Sequence, residues 1–323
     1  MPFALKTVAF KSALRINSMN YNYYIADVFT TQLFNGAQIA VFPNADGLSG
    51  QQMKLVAREV NLTETVFVFH PDSESTTRKM RIFSPLGEID FAGHPIIATA
   101  YVLGICGDIN LTEAITPVVF EQNVGPIDVN ISAEQGKPVF VQFSRKVSSI
   151  VDRFAPTDEE LASFLSIKQS ELDHKKYSPR LVSCGVPYLI VPVWNYESVR
   201  KAKFNYSAWS QSIAPQTAAQ EILLFAPKTP FVDSDFNARL LGPRIGIHED
   251  PPIGNAMPAF ASYLCSFEHT RKGTHTFAVD RGDTHMRRSV LNLEMDNKGQ
   301  EQLALRVGGE AVMFAQGTVF LPD

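Results

Sequence analysis

Cysteine is scarce: three residues in a chain of 323, at positions 106, 184 and 265. An odd number so widely spaced builds neither a disulfide framework nor a CxxC metal site, and it fits a reducing compartment, so the expectation is a cytoplasmic protein. Charge is also sparse. Charged residues make up 19% of the chain and the formal net charge is −4. No basic field exists to hold a nucleic-acid backbone or an anionic membrane surface, and neither is expected as a partner. No apolar run approaches the ~18 residues that would span a bilayer. The seven histidines show no HExxH spacing, and no GxxxxGK[ST] or strand-following GxGxxG motif occurs. Neither a metal nor a nucleotide cofactor is therefore expected.

What is present is apolar and aromatic. Hydrophobic residues account for 45% of the chain, including 23 Phe and 9 Tyr, a composition of buried, aromatic-rich sheet. At ~150 residues per domain the length points to two domains. The first stretch is set aside: Lys6, Lys11 and Arg15 interrupt its apolar residues, and a second Met stands at position 19. Residues 1–18 read as an extension outside the fold, able to form at most a short amphipathic helix.

Beyond it the pattern is mostly strands, at 23–30, 38–42, 64–70 and 79–84, then 118–121, 127–131 and 139–143, and finally 188–193, 289–295, 302–307 and 311–315. Two capping boxes open helices. Ser49 with Gln52 starts one running to about Glu59, and Thr157 with Glu160 starts another, where Asp158 and Glu159 favour the positive end of the helix dipole. Gly308-Gly309 reads as a hairpin turn.

An internal repeat organises these elements. Arg81-Ile82-Phe83-Ser84-Pro85 returns as Arg239-Leu240-Leu241-Gly242-Pro243. After each copy come an acidic turn (Asp90; Glu249 and Asp250), a glycine and an alanine-rich apolar run, 93–103 in the first copy and 254–264 in the second. Such runs, apolar on nearly every face, predict helices buried all round. The expected fold is α+β, two pseudo-symmetric halves, each a curved, antiparallel-rich barrel-like sheet around a central buried helix. The first half would cover 19–120, with the last strand at about 310–323 returning to it, and the second 121–309. Packed as pseudo-symmetric partners, the halves would turn both helix N-termini, with their free N–H groups, towards one cleft suited to a carboxylate.

Three segments hold the chemistry. Glu64 stands where the polar Asn61-Leu62-Thr63 turn enters an apolar strand. On local grounds it is either a solvated strand-start acid or a partly desolvated base with a pKa raised towards the range useful for moving a carbon-bound proton. His94 follows Gly93 at the first turn of a buried helix, either as a satisfied core histidine or as a neutral donor–acceptor ring at the cleft. Asp250 precedes two prolines, as many turn residues do, yet the repeat places it where a second carboxylate would face the same cleft. Glu249 is the lesser candidate and His248 reads as a turn residue.

Asn61-Leu62-Thr63-Glu64-Thr65, Phe91-Ala92-Gly93-His94-Pro95 and Glu249-Asp250-Pro251 followed by Gly254 resemble, in order and spacing, the motifs of the phenazine biosynthesis PhzF-like family. Residues 26–29, Arg81-Ile82-Phe83, the 185–193 stretch and Val307-Gly308-Gly309 extend that resemblance over about 21–320. It implies a diaminopimelate-epimerase-like fold, a homodimer, and cofactor-free isomerisation of a small carboxylate of the dihydro-hydroxyanthranilate type. Carried over by position, the acid–base glutamate is Glu64, the histidine His94 and the aspartate Asp250, with backbone contacts to substrate from Gly93 and Gly254. The chain also departs from the pattern. Gly36-Ala37-Gln38 replaces Gly-Asn-Pro. Ile253 and Asn255 stand where Thr and Ser hydroxyls are usual, leaving the Asn255 amide as the expected substrate donor. Met286-Arg287-Arg288-Ser289 replaces Gly-Arg-Pro-Ser and makes the rim more basic.

These readings converge on a cofactor-independent isomerase whose substrate differs from the phenazine intermediate if the altered pocket demands it. Two rivals stand beside it: an amino-acid epimerase or racemase, and a binding protein that has lost catalysis. On this fold a two-thiol epimerase needs a cysteine at each helix start. Cys106 and Cys265 fall instead at the ends of the two runs and Cys184 before a strand, so thiol chemistry is disfavoured.

Overall fold

The structure, a computed structural model, describes residues 18–219, 221–243, 245, 250–270, 272–283, 286–298 and 302–322. Its first repeat begins with β1 (Ser18–Val28), β2 (Ala37–Phe42), α1 (Gly50–Val60), β3 (Glu64–Phe69), β4 (Arg78–Ser84) and β5 (Gly87–Ile89). The long helix α2 (Gly93–Cys106) follows, then β6 (Ile115–Gln122), β7 (Gly125–Glu134) and β8 (Lys137–Val147). The second repeat holds β9 (Ile150–Asp152), α3 (Asp158–Leu165), β10 (Arg180–Ser183), β11 (Pro187–Pro192), α4 (Tyr196–Lys201) and α5 (Tyr206–Gln211). It continues through β12 (Glu221–Ala226), β13 (Phe236–Leu241), α6 (Met257–Cys265), β14 (Gly273–Asp283), β15 (Met286–Asn297) and β16 (Leu303–Gly309), and the chain ends in β17 (Ala311–Pro322).

Strand pairing displays the duplication directly. In the first repeat β2 and β3 are parallel, β3 and β4 antiparallel, β4 and β6 parallel, and β6, β7 and β8 follow as an antiparallel meander. In the second, β11, β12, β13, β14, β15 and β16 repeat that series in the same order. The two series join where β8 pairs with β16. The strand after each series crosses over. β9 pairs with β10 of the second half, and β17 pairs along its length with β1 of the first. By this correspondence β7 and β8 are the counterparts of β15 and β16, so residues 125–147, grouped by the sequence reading with the later half, lie along the first helix. The Phe143 ring of β8 comes so close to α2 that a Cβ on Gly93 would sit 2.8 Å from its Cζ.

Both central helices are enclosed, α2 from Gly93 to Gly104 and α6 from Met257 to Leu264. Their apolar side chains enter one shared core with the inward residues of both sheets. The surface helices show the expected caps. Gln52 N–H donates to Ser49 Oγ (3.3 Å) and Ser49 N–H to Gln52 Oε1 (3.0 Å), and Thr157 and Glu160 exchange the same pair of bonds. α1 then lays Met53, Val56 and Ala57 over a stack that includes Phe42 and Phe67, whose rings lie 4.9 Å apart.

Two local readings change. The second apolar run opens as a 3-10 turn, Gly254–Ala256, and becomes α-helical only at Met257, with Pro258 in its first turn. Gly308-Gly309 is not a hairpin turn, because both residues lie in β16 opposite Gln142 and Val141 of β8. Their lack of a side chain makes room for two rings. A Cβ at Gly308 would fall 2.7 Å from Phe140 and one at Gly309 2.4 Å from Phe29.

Candidate active site

The approach to the site begins at the end of α1. Asn61 takes the left-handed conformation (φ 53°) and returns its N–H to Ala57 O at 3.0 Å, a C-cap that Asn tolerates better than most residues. This turn aims the chain into β3, whose first residue, Glu64, stands opposite Ile39 of β2 and points inward, 7% exposed. His94, 1% exposed, is the second residue of α2. The two side chains meet: His94 Nε2 and Glu64 Oε2 are 2.6 Å apart. With Glu64 ionised, Nε2–H is the donor and the ring's other nitrogen, Nδ1, is the free position. Nδ1 is buried and has no partner among the described residues. It faces the second half, where a Cβ added to Gly254 would lie 3.3 Å from it.

Gly93 and Gly254 are also neighbours, since a Cβ on Gly93 would sit 4.0 Å from Gly254 O. The two repeat-related helix starts thus meet as the sequence predicts, with one difference. Gly93 N–H is engaged by Asn255, whose Oδ1 accepts it at 3.2 Å. The amide expected to donate to a ligand therefore spends its oxygen on the other half of the protein, and the first-turn donor of α2 already has a partner.

Asp250 lies on the wall of a cleft of about 280 Å3 bounded by the Asn61–Thr63 turn, Gly36–Gln38, Pro251–Pro252, Arg281 and Arg287. That turn leads directly into Glu64, although Glu64 and His94 are not themselves among the residues that line the cleft. The Asp250 carboxylate forms an ion pair with Arg200 of α4, the two side chains 4% and 13% exposed, while its Oδ1 has no partner among the described residues. Arg239 of β13 braces α4 through the carbonyls of Arg200 and Ala202, at 3.1 and 3.0 Å. Arg281 of β14 is 3% exposed. Its Nη2 donates to Arg287 O at 3.0 Å and its Nε has no partner among the described residues. Burial pushes the Arg239 and Arg281 guanidinium pKa values down, with the charge of Asp250 opposing. Arg287 reaches the buried Asp27 at 3.3 Å. Sequence reading singled out neither Arg200 nor Arg281. The one signal was a charged pair, Asp280-Arg281, inside a strand whose residues Val279 to Gly282 are all buried.

The remaining candidates stand apart. Cys106 and Cys265 end α2 and α6, about 20 Å and 12 Å along each helix from its start at 1.5 Å per residue. Burial raises the Cys265 thiol to about 11 and also raises Cys184, whose Sγ lies 3.3 Å from Ser262 Oγ. His248 and Glu249 lie outside the described residues. Among the described residues no group of three or more His, Cys, Asp or Glu is gathered to hold a metal ion, and no helix is long and apolar enough to cross a membrane.

Two enclosed helices, each within one of two duplicated strand series that exchange their last strands, make up a diaminopimelate-epimerase-like fold. It is shared by a Bacillus anthracis phenazine biosynthesis protein of the PhzF family (TM-score 0.81, 23% identity, 93% of this chain and 99% of that one). A hydroxyproline epimerase from Agrobacterium vitis has it as well (TM-score 0.63, 12% identity, 94% and 93% covered). The chain belongs to the phenazine biosynthesis-like family, PhzC-PhzF, whose model matches residues 26–317. Among its relatives are an uncharacterized isomerase of Mesorhizobium japonicum, 31% identical over 93% of this chain and 99% of the relative. Another is the trans-2,3-dihydro-3-hydroxyanthranilate isomerase of Pseudomonas aeruginosa, 27% identical over 93% and 100%.

Proposed function

We propose that the protein is a cofactor-independent isomerase that moves a proton on a small cyclic carboxylate, with Glu64 as the acid–base group. The observation that carries this reading is the buried Glu64–His94 contact of 2.6 Å at the junction of the two halves. A carboxylate held by one imidazole nitrogen, with little water around it, is set to take and return a proton at a fixed point. His94 orients Glu64 through Nε2 and offers the unpartnered Nδ1 to the reacting ligand. Asp250, fixed by Arg200 and with Oδ1 unpartnered among the described residues, receives an amine or hydroxyl of the substrate and holds the ring. Breaking a C–H bond with these groups alone requires a carbanion spread over a neighbouring π-system, so the substrate carries a conjugated or carbonyl-bearing carbon beside the one that loses its proton. The relatives named as dihydro-hydroxyanthranilate isomerases supply a substrate of that kind to test first.

Incubation with candidate cyclic amino acids in heavy water, followed by mass spectrometry and NMR, tests the reading. Deuterium entering a ring carbon as a double bond shifts is the expected result, with Glu64→Gln binding ligand but exchanging nothing. Exchange by Glu64→Gln at the wild-type rate would refute the assignment. Deuterium entering an α-carbon with loss of optical rotation and no bond shift would mark an epimerase instead.

A further inference from the structure

The cleft beside Glu64 contains a buried cation that the proton-transfer machinery does not use. Arg281 is 3% exposed and lines the cleft. One of its nitrogens, Nη2, is bonded to the Arg287 carbonyl, and its Nε–H has no partner among the described residues. The nearby carboxylate, Asp250, is already paired with Arg200. Burying a guanidinium with a free N–H is costly unless an anion completes it. Meanwhile the backbone donor that would otherwise greet an anion at the start of α2, Gly93 N–H, is occupied by Asn255. At this end of α2 the Gly93 N–H is therefore not free for a ligand, while the buried Arg281 of β14 lines the cleft. Arg287, its side chain 37% exposed and tied to Asp27, adds a second positive charge on the same wall.

We infer that Arg281 is the anchor for the substrate's carboxylate and sets the site's preference for acids over neutral analogues. The inference rests on the reading of this cleft as the substrate site. A guanidinium presents a planar donor fork that matches a carboxylate and keeps its charge when buried, where a lysine shifts more readily. With Arg281 holding the acid and the buried Asp250 Oδ1, unpartnered among the described residues, on the same wall to meet an amine, the cleft fits an amino acid whose two groups lie on neighbouring carbons.

The probes are 2-aminobenzoate and its neutral isostere 2-aminobenzamide, titrated into the full chain by calorimetry. Wild type is expected to favour the acid by about ten- to a hundredfold, the range of charge-assisted hydrogen bonds. Arg281→Gln, once circular dichroism shows it folded, is expected to reduce that preference to near parity, with Arg281→Lys in between. A merely structural Arg281 would shift melting temperature and leave the ratio of the two affinities unchanged. An unchanged ratio in Arg281→Gln, or no preference for the acid in wild type, overturns the inference. Should both variants fail to fold, a crystal structure of wild type with 2-aminobenzoate decides. The carboxylate must lie within about 3.5 Å of a guanidinium nitrogen of Arg281, and any other placement overturns the inference. Glu64→Gln run in parallel separates the two readings. If Glu64→Gln stops deuterium exchange while Arg281→Gln keeps the acid preference, only the anchor falls. If Glu64→Gln exchanges normally while Arg281→Gln loses the preference, only the proton-transfer reading falls.

Discussion

Gly93 and Asn255, 162 positions apart in the chain, meet through a single hydrogen bond in which the Asn255 side-chain oxygen accepts the Gly93 N–H at 3.2 Å. A residue of the second half thereby caps the central helix of the first, a helix whose own preceding residue, Ala92, provides no side-chain cap. Asn255→Ala should leave that amide unsatisfied, at a cost of about 1–3 kcal/mol. Urea denaturation measures it. A change smaller than about 0.5 kcal/mol would mean that the bond contributes little to joining the halves.

Gly254 packs against the Nδ1 face of the His94 imidazole. A methyl group there would press on His94 Nδ1 from 3.3 Å, so the ring must give way or turn. Gly254→Ala is expected to reduce proton exchange at least tenfold while lowering stability only modestly, since the backbone at 254 needs no left-handed conformation. Wild-type turnover in this variant would show that Nδ1 is not where the ligand approaches.

The Asp250–Arg200 pair is mostly buried on both sides. Arg200→Met removes one partner and leaves a carboxylate enclosed without its counter-charge, which should cost about 3–5 kcal/mol. Adding Asp250→Asn to the same chain should recover much of that loss. Denaturant midpoints for the two single variants and the double variant complete a cycle. An additive result would show that the two groups do not depend on each other.

What could be read beforehand divides along physical lines. The capping boxes at Ser49–Gln52 and Thr157–Glu160 were legible because all their atoms lie within four consecutive residues. The two central helices were legible because a run without a polar face can only be enclosed. Gly308-Gly309 misled, because adjacent glycines serve tight turns and close ring contacts equally well, and only the positions of Phe29 and Phe140 distinguish them. The exchange of β9 and β17 is set by partners more than a hundred residues away in the case of β17, and no local pattern encodes it. Glu64 and His94 were located by their surrounding motifs, but their contact depends on the register of β3 against β2. Arg281 escaped notice because a charge in a strand does not say whether it faces water or a ligand.

Acid stability offers a separate check. Glu171 is partly buried, which by itself would raise its pKa. The ion pair with Lys201, the Lys168 N–H at 2.9 Å and the Ser198 hydroxyl at 2.7 Å outweigh that and hold it at about 2. A carboxyl held below its ordinary value of 4.5 contributes stability above that value and loses it as pH falls towards 2. Melting temperatures of wild type and Glu171→Gln should therefore differ most above pH 5 and converge near pH 2. A gap that stays constant across this range would rule out the proton linkage.

The pairing of β17 with β1 has a consequence for how the molecule is made. The strand that closes this edge, Ala311–Pro322, is synthesised long after Ser18–Val28, so β1 waits in the meantime with one edge unsatisfied. An open edge of that length is a template for the wrong neighbour. Nascent chains halted before residue 311 should accordingly be prone to aggregate, and it is the arrival of residues 311–322 that closes the first lobe.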